Sequence, residues 1–173
     1  MATAGKNLSE YNKENIPDAS NMRFGIVVSE WNDGITSRLL DGAIKGLTDN
    51  GCLDENIMVE RVPGTFELPL GAQFILEAKE VDGIICVGSV IEGETRHFDF
   101  VCEGATMGIK DVSLKHNKPV IFCVLTDKNK QQAMDRSGGK HGNKGTEAAL
   151  AAIKMIELKN RLLPQRKSAG YNK

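Results

Sequence analysis

The sequence predicts an α/β protein, a three-layer α/β/α sandwich built on a four-stranded parallel sheet. Two observations carry that expectation. Short segments rich in branched apolar residues alternate with longer amphipathic ones, in the order βαβαβαβα. Most of the short segments are also apolar at consecutive positions, as strands covered by helices on both faces must be. Right-handed crossovers then leave a doubly wound sheet as the topology.

Each element has its own warrant. Arg23 to Ser29, reading Arg-Phe-Gly-Ile-Val-Val-Ser, is the first strand. Asp33 is the expected cap of the first helix. That helix runs from Ile35 to Asn50, with Ile35, Leu39, Ala43 and Leu47 on one face and Gly51 as its stop. Asn56 to Val62 alternates and reads as the second strand, broken by Pro63-Gly64. A helix from Leu70 to Lys79 follows, with Pro69 near its first turn. Gly83 to Ser89 is the third strand, and Phe98 to His116 the third helix. Pro119 to Leu125 is the fourth strand. Lys130 to Arg136 forms a short helix, and Ser137 to Asn143 reads as a flexible, glycine-rich link. The last helix spans Lys144 to Leu162, with Ala149, Leu150, Ile153 and Ile156 on one stripe, and Pro164 ends it.

Composition narrows the function classes. The chain has 173 residues, 40% hydrophobic and 26% charged, with a formal net charge of −1. That suits one globular domain with a substantial core. It offers no broad basic surface for nucleic acid or membrane. No apolar run reaches the roughly 20 residues of a membrane span, and the start of the chain lacks the apolar core of a secretory signal. Residues 1–21 read as a polar, loosely attached arm, 22–163 as the domain, and 164–173 as a loose basic tail. Cys52, Cys86, Cys102 and Cys123 are widely spaced, without a CxxC or Cys/His ligand pair. They read as free structural thiols of a reducing cytoplasm, and no metal site is expected.

In a parallel sheet the ligand edge lies at the strand C-termini. The unusual residues collect there. Trp31, just past strand one, is either a core or interface aromatic or a stacking platform for a flat heterocycle. Phe66-Glu67 follows the Pro-Gly turn; Glu67 is either a solvated carboxylate or an acceptor for ring or sugar donors. The stretch Gly88-Ser-Val-Ile-Glu-Gly-Glu-Thr-Arg-His97 reads as a strand-to-helix loop. Its amides at Glu94 and Thr95 could face an anion. His97 is either an ordinary surface histidine or a proton carrier near neutral pH. It does not face Asp99 on a helix, so no dyad is expected. His116 and His141 lack such surroundings and are expected in solvent. Arg136 and Lys144 flank the glycine link and are the available cations for a phosphate, or else ordinary surface charges. Neither GxGxxG nor GxxxxGK[ST] is matched.

Taken together in this order, the residues resemble a known family. They are the strand-one aromatic Trp31, Pro63-Gly-Thr-Phe-Glu-Leu-Pro69, Gly88 to His97, Pro119-Val-Ile-Phe122, and Asp135-Arg136 followed by Gly142-Asn-Lys-Gly145. From about Met22 to Leu163 the chain resembles the 6,7-dimethyl-8-ribityllumazine synthases of riboflavin biosynthesis. The resemblance implies a flavodoxin-like sheet and a transferase. It would condense 5-amino-6-(D-ribitylamino)uracil with 3,4-dihydroxy-2-butanone 4-phosphate, releasing phosphate and water, without cofactor or metal. It implies a pyrimidine site of Trp31, Thr65, Phe66, Glu67, Ser89, Val90, Ile91 and Phe122, the last from the next subunit. It implies a phosphate site of Glu94, Thr95 and a neighbour's Arg136, with Lys144 and Glu147 close by. His97 would be the proton donor and acceptor, and Arg136 would neutralise the departing phosphate.

The resemblance further implies a homo-oligomer with subunit-shared sites: a pentamer, with a sixty-subunit cage permitted by the short link Ser137 to Asn143. Riboflavin synthase is an implied partner. A competing class is a flavin-binding or structural cage protein of the same fold with weak catalysis. The joint presence of Glu67, His97 and Arg136 favours the enzyme. A receiver domain is weaker still, because strand two ends in Val62-Pro63-Gly64 where an acidic cluster would be needed.

Overall fold

The computed structural model describes residue 7 and residues 9–163. Expectations for the remaining arm residues and the basic tail lie outside the described residues. Four strands, β1 (Phe24–Ser29), β2 (Ile57–Val62), β3 (Gly83–Ile91) and β4 (Val120–Asp127), form one sheet in the order β2-β1-β3-β4. Every pairing in it is parallel. The helices are α1 (Asp33–Thr48), α2 (Leu68–Ala78), α3 (His97–His116), α4 (Lys130–Arg136) and α5 (Lys144–Leu162).

Alternation along the strands produces two cores, because successive side chains leave a strand on opposite faces. Phe24, Ile26 and Val28 of β1 join Ile85, Val87, Cys123 and Leu125 beneath α1 and α5. Val27 joins Ile84, Cys86, Val120 and Val124 beneath α2 and α3. The central strands β1 and β3 are buried on both faces, which explains their unbroken apolar runs. Each buried Val, Ile or Phe among them contributes about 1.5–3 kcal/mol of hydrophobic stabilisation. Strand β2 lies at the sheet edge, and its Glu60 and Arg61 face water.

Several local expectations change. Asp33 does not cap α1; it is the first helical residue, and Asn32 occupies the cap position with a left-handed backbone. The third strand runs on through Val90 and Ile91, which pair with Thr126 and Asp127 of β4. The link Ser137 to Asn143 is an antiparallel hairpin of β5 (Ser137–Gly139) and β6 (Gly142–Asn143). Part of the arm is docked. Ile16 packs on the α1/α5 core, Ala19 is fully buried, and Tyr11 accepts from Asn50 Nδ2 at 3.2 Å. His116 is packed rather than solvated: its Nε2 is buried without a partner, 3.9 Å from Glu77 of α2.

The four cysteines are free. Burial pushes the Cys123 thiol up to about 12 and the Cys52 thiol up to about 11, so neither is an available thiolate near neutral pH. Among the described residues no helix is long and apolar enough to cross a membrane, and no cluster of three His, Cys, Asp or Glu side chains is arranged to hold a metal ion.

Candidate active site

The sheet reverses its winding between β1 and β3: the chain leaves β1 for β2 on one side and β3 for β4 on the other. Strands that part in this way open a crevice at their C-terminal ends. A cleft of about 680 Å³ occupies this place, within the usual range of ligand sites. Its walls are Trp31 and Asn32 after β1, Gly64 to Glu67 after β2, Ser89 to Ile91 at the end of β3, and His97, Phe100 and Val101 of α3. The cleft thus gathers Trp31, Thr65, Phe66, Glu67, Ser89, Val90, Ile91 and His97. A cleft of similar size, about 700 Å³, lies at the opposite edge of the sheet among Arg23, Glu80, Lys118 and Lys159, and has no aromatic wall.

The cleft is largely apolar, with aromatic side chains left open to solvent. Trp31 is 74% exposed and Phe66 is 59% exposed. Large aromatic side chains held open around a concavity favour a flat partner. Phe66 lies against α3 at Gly104, where an added Cβ would stand 2.5 Å from its ring. Glu67 folds back over Gly64, whose Cβ position is 2.9 Å from the Glu67 carboxylate and 3.7 Å from Trp31 Cδ1. Glycine at both places lets the Phe66-Glu67 pair sit close to the cleft walls. Ser89 is buried, and its hydroxyl has no partner.

His97 opens α3 and is exposed in the cleft. Its backbone N–H donates to Thr95 Oγ1 at 3.4 Å. Asp99 turns to Arg96 instead, at 3.5 Å, so the histidine has no carboxylate partner there. Arg96 also stands 5.8 Å over the Phe100 ring. Glu94 and Thr95 are exposed in the turn before α3, and their amides make no hydrogen bond within the described residues.

The other expected site residues lie elsewhere. Phe122, on β4, lines a shallow depression with Asp99, Cys102 and Thr126. Arg136 ends α4 and is half-buried. Near it stands Asp127, whose carboxyl is pushed up by burial and drawn down less strongly by the Arg136 charge. Lys144 opens α5 and pairs with Glu147 at 2.9 Å, while Glu147 Oε2 is buried without a partner. Arg136, Lys144 and Glu147 lie on α4 and the start of α5, Phe122 faces α3 across the sheet from them, and none of the four lines the cleft.

Sequence reasoning missed Asn32, Gly64, Phe100 and Val101 as cleft residues. Phe100 and Val101 were within reach, since they stand three and four positions after His97 on one helix and therefore share its face. Asn32 carried a fainter signal, a residue type that tolerates left-handed backbone placed directly after the rim tryptophan.

Known proteins match this sequence. The sequence profile of 6,7-dimethyl-8-ribityllumazine synthase matches residues 21–160. A 6,7-dimethyl-8-ribityllumazine synthase of Flavobacterium psychrophilum is 59% identical over 159 residues, covering 92% of this chain and 84% of the relative. The protein of the same description from Cytophaga hutchinsonii is 58% identical, covering 90% of this chain and 98% of its own. That from Parabacteroides distasonis is 53% identical with the same coverage. On a profile spanning most of its length and relatives this similar, the chain belongs to the 6,7-dimethyl-8-ribityllumazine synthase family.

Proposed function

We propose that the chain condenses 5-amino-6-(D-ribitylamino)uracil with 3,4-dihydroxy-2-butanone 4-phosphate to give 6,7-dimethyl-8-ribityllumazine, phosphate and water. The observation that carries this reading is the aromatic cleft at the switch point, with Trp31, Glu67 and His97 on its walls. Its open indole and mixed polar rim suit a flat pyrimidine bearing a polyol chain. In this reading Trp31 stacks on the ring, and Thr65, Phe66 and Glu67 hold the ring and ribityl chain. Ser89, Val90 and Ile91 form the floor. Each chemical step moves a proton: imine formation, loss of phosphate, tautomerisation and ring closure. The amine nucleophile belongs to the substrate, so His97 serves as donor and acceptor. Much of the remaining acceleration comes from holding two substrates together.

The phosphate of the second substrate sits on the free amides of Glu94 and Thr95. Its cation, Arg136, and the further wall, Phe122, come from a second copy, with Lys144 and Glu147 beside them. The separation of these residues from the cleft within one chain supports that division. A ring of copies related head to tail supplies such contacts all the way round, and we propose a pentamer as the unit. The reading places the enzyme in the cytoplasm, in keeping with its free thiols, and its product is the substrate of a riboflavin synthase.

Purified protein supplied with both substrates is expected to form the fluorescent lumazine and release phosphate in equal amounts. Formation of neither at saturating substrate contradicts the reading.

A further inference from the structure

Asn32 stands between the aromatic edge of the cleft and its floor, and three constraints meet on it. Its backbone is left-handed, with φ 60° and ψ 40°. Its carbonyl accepts from the first turn of α1, from Ile35 N–H at 2.7 Å and Thr36 N–H at 3.0 Å. Its side chain makes no capping bond to the helix. Instead, Nδ2 reaches across the crevice and donates to the Ser89 carbonyl at 2.8 Å.

That last bond lies past the end of the sheet pairing. The β1–β3 register closes at Val28 opposite Val87, after which the two strands separate. On the β1 side, Glu30 N–H and Trp31 N–H hold to Val62 and Pro63 carbonyls at 2.9 and 3.3 Å, which ties the Trp31 turn toward β2. The Asn32 side chain is the tie in the other direction, from the same turn to β3. The Trp31 side chain is mostly in solvent, so the position of its ring is set by the backbone of this turn.

The residue type fits both demands. Glycine would take the left-handed conformation more easily but has no donor. Aspartate tolerates the conformation but offers no N–H and would set a carboxylate against a carbonyl oxygen. Asparagine supplies the conformation and the donor together.

We propose that Asn32 is a positioning residue for the pyrimidine site: its bond to the Ser89 carbonyl fixes the gap between the Trp31 ring and the Ser89–Ile91 floor so that one flat heterocycle fits. The proposal rests on the pyrimidine reading above. It deepens that reading by making the crevice width a property of one side chain. The bond also occupies the Ser89 carbonyl.

The test compares the wild-type protein with Asn32→Asp, Asn32→Gly and Asn32→His. Histidine also visits the left-handed region and carries a ring N–H donor. Two readouts are taken: the KM of each substrate, and quenching of the one tryptophan, Trp31, by riboflavin as a flat-ring probe that needs no turnover. Asn32→Asp and Asn32→Gly are expected to raise the pyrimidine KM about tenfold, the scale of one well-placed hydrogen bond. They weaken riboflavin binding by a similar factor and leave the KM of the phosphate substrate within about twofold. Asn32→His recovers most of both losses. Pyrimidine KM and riboflavin affinity unchanged in both the Asp and Gly variants overturn the proposal, as does an equal rise in the two substrates' KM values. A histidine variant as poor as the aspartate one overturns it too. Wild-type protein that makes no lumazine contradicts the pyrimidine reading itself, whatever the variants do.

Discussion

Replacing His97 with alanine is expected to lower kcat by about 10²- to 10⁴-fold, the range of a positioned general acid or base, while the KM of the pyrimidine changes little. The geometry separates the two effects. On the proposed reading the pyrimidine is held by Trp31, Phe66-Glu67 and the end of β3, whereas His97 stands on the α3 wall of the same cleft. Its imidazole has no carboxylate partner, because Asp99 is paired with Arg96. The histidine is therefore free to exchange protons with a bound molecule instead of serving a structural ion pair. Its removal is structurally mild, since it is an exposed first residue of a long helix. Steady-state kinetics with each substrate varied in turn checks the expectation, and an unchanged kcat rejects the proton-transfer role.

For Arg136→Ala the expected loss lies in the other substrate. A guanidinium bonded to phosphate is worth about 1.5–3 kcal/mol, so kcat/KM for 3,4-dihydroxy-2-butanone 4-phosphate falls roughly 10- to 100-fold. Riboflavin binding at Trp31 stays as it was. Arg136→Lys lands between wild type and alanine, because it keeps the charge but loses the planar fork that contacts two oxygens at once. Binding of the pyrimidine is the control, and a loss there equal to the loss for the phosphate substrate would reject the assignment. The adjacent Asp127, buried and carrying an oxygen without a hydrogen-bond partner, makes the Arg136 neighbourhood electrostatically tight.

The sheet was legible because burial on both faces forces consecutive apolar residues, as in Ile84 to Val87. Its edges were less so. Strand β3 continues to Ile91 because β4 offers Leu125, Thr126 and Asp127 as partners, a pairing between distant segments that no local pattern encodes. The hairpin at Ser137–Asn143 looked flexible for its glycines. Two of these, Gly138 at φ 106° and Gly142 at φ 81°, take backbone conformations that make the turn possible. The arm looked loose because it is polar, yet its described part packs on the core through Ile16 and Ala19. In the cleft, Trp31, Glu67 and His97 were legible from their place after strands. Asn32 was not, because its role depends on a bond to a residue 57 positions away. Phe122 and Arg136 were legible as motif residues, but within the single chain neither lines the cleft.

That separation is the centre of the account, and subunit mixing tests it most directly. His97→Ala and Arg136→Ala protein, each of low activity alone when the phosphate substrate is kept below its KM, are dissociated, mixed in equal amounts and reassembled. If each site takes its cleft from one copy and its cation from the next, random assembly makes about a quarter of the sites intact. Lumazine formation then returns to about a quarter of the wild-type rate. Mixed assemblies, verified by mass, that stay as inactive as their parents would place both residues in the site of a single chain and contradict the shared geometry.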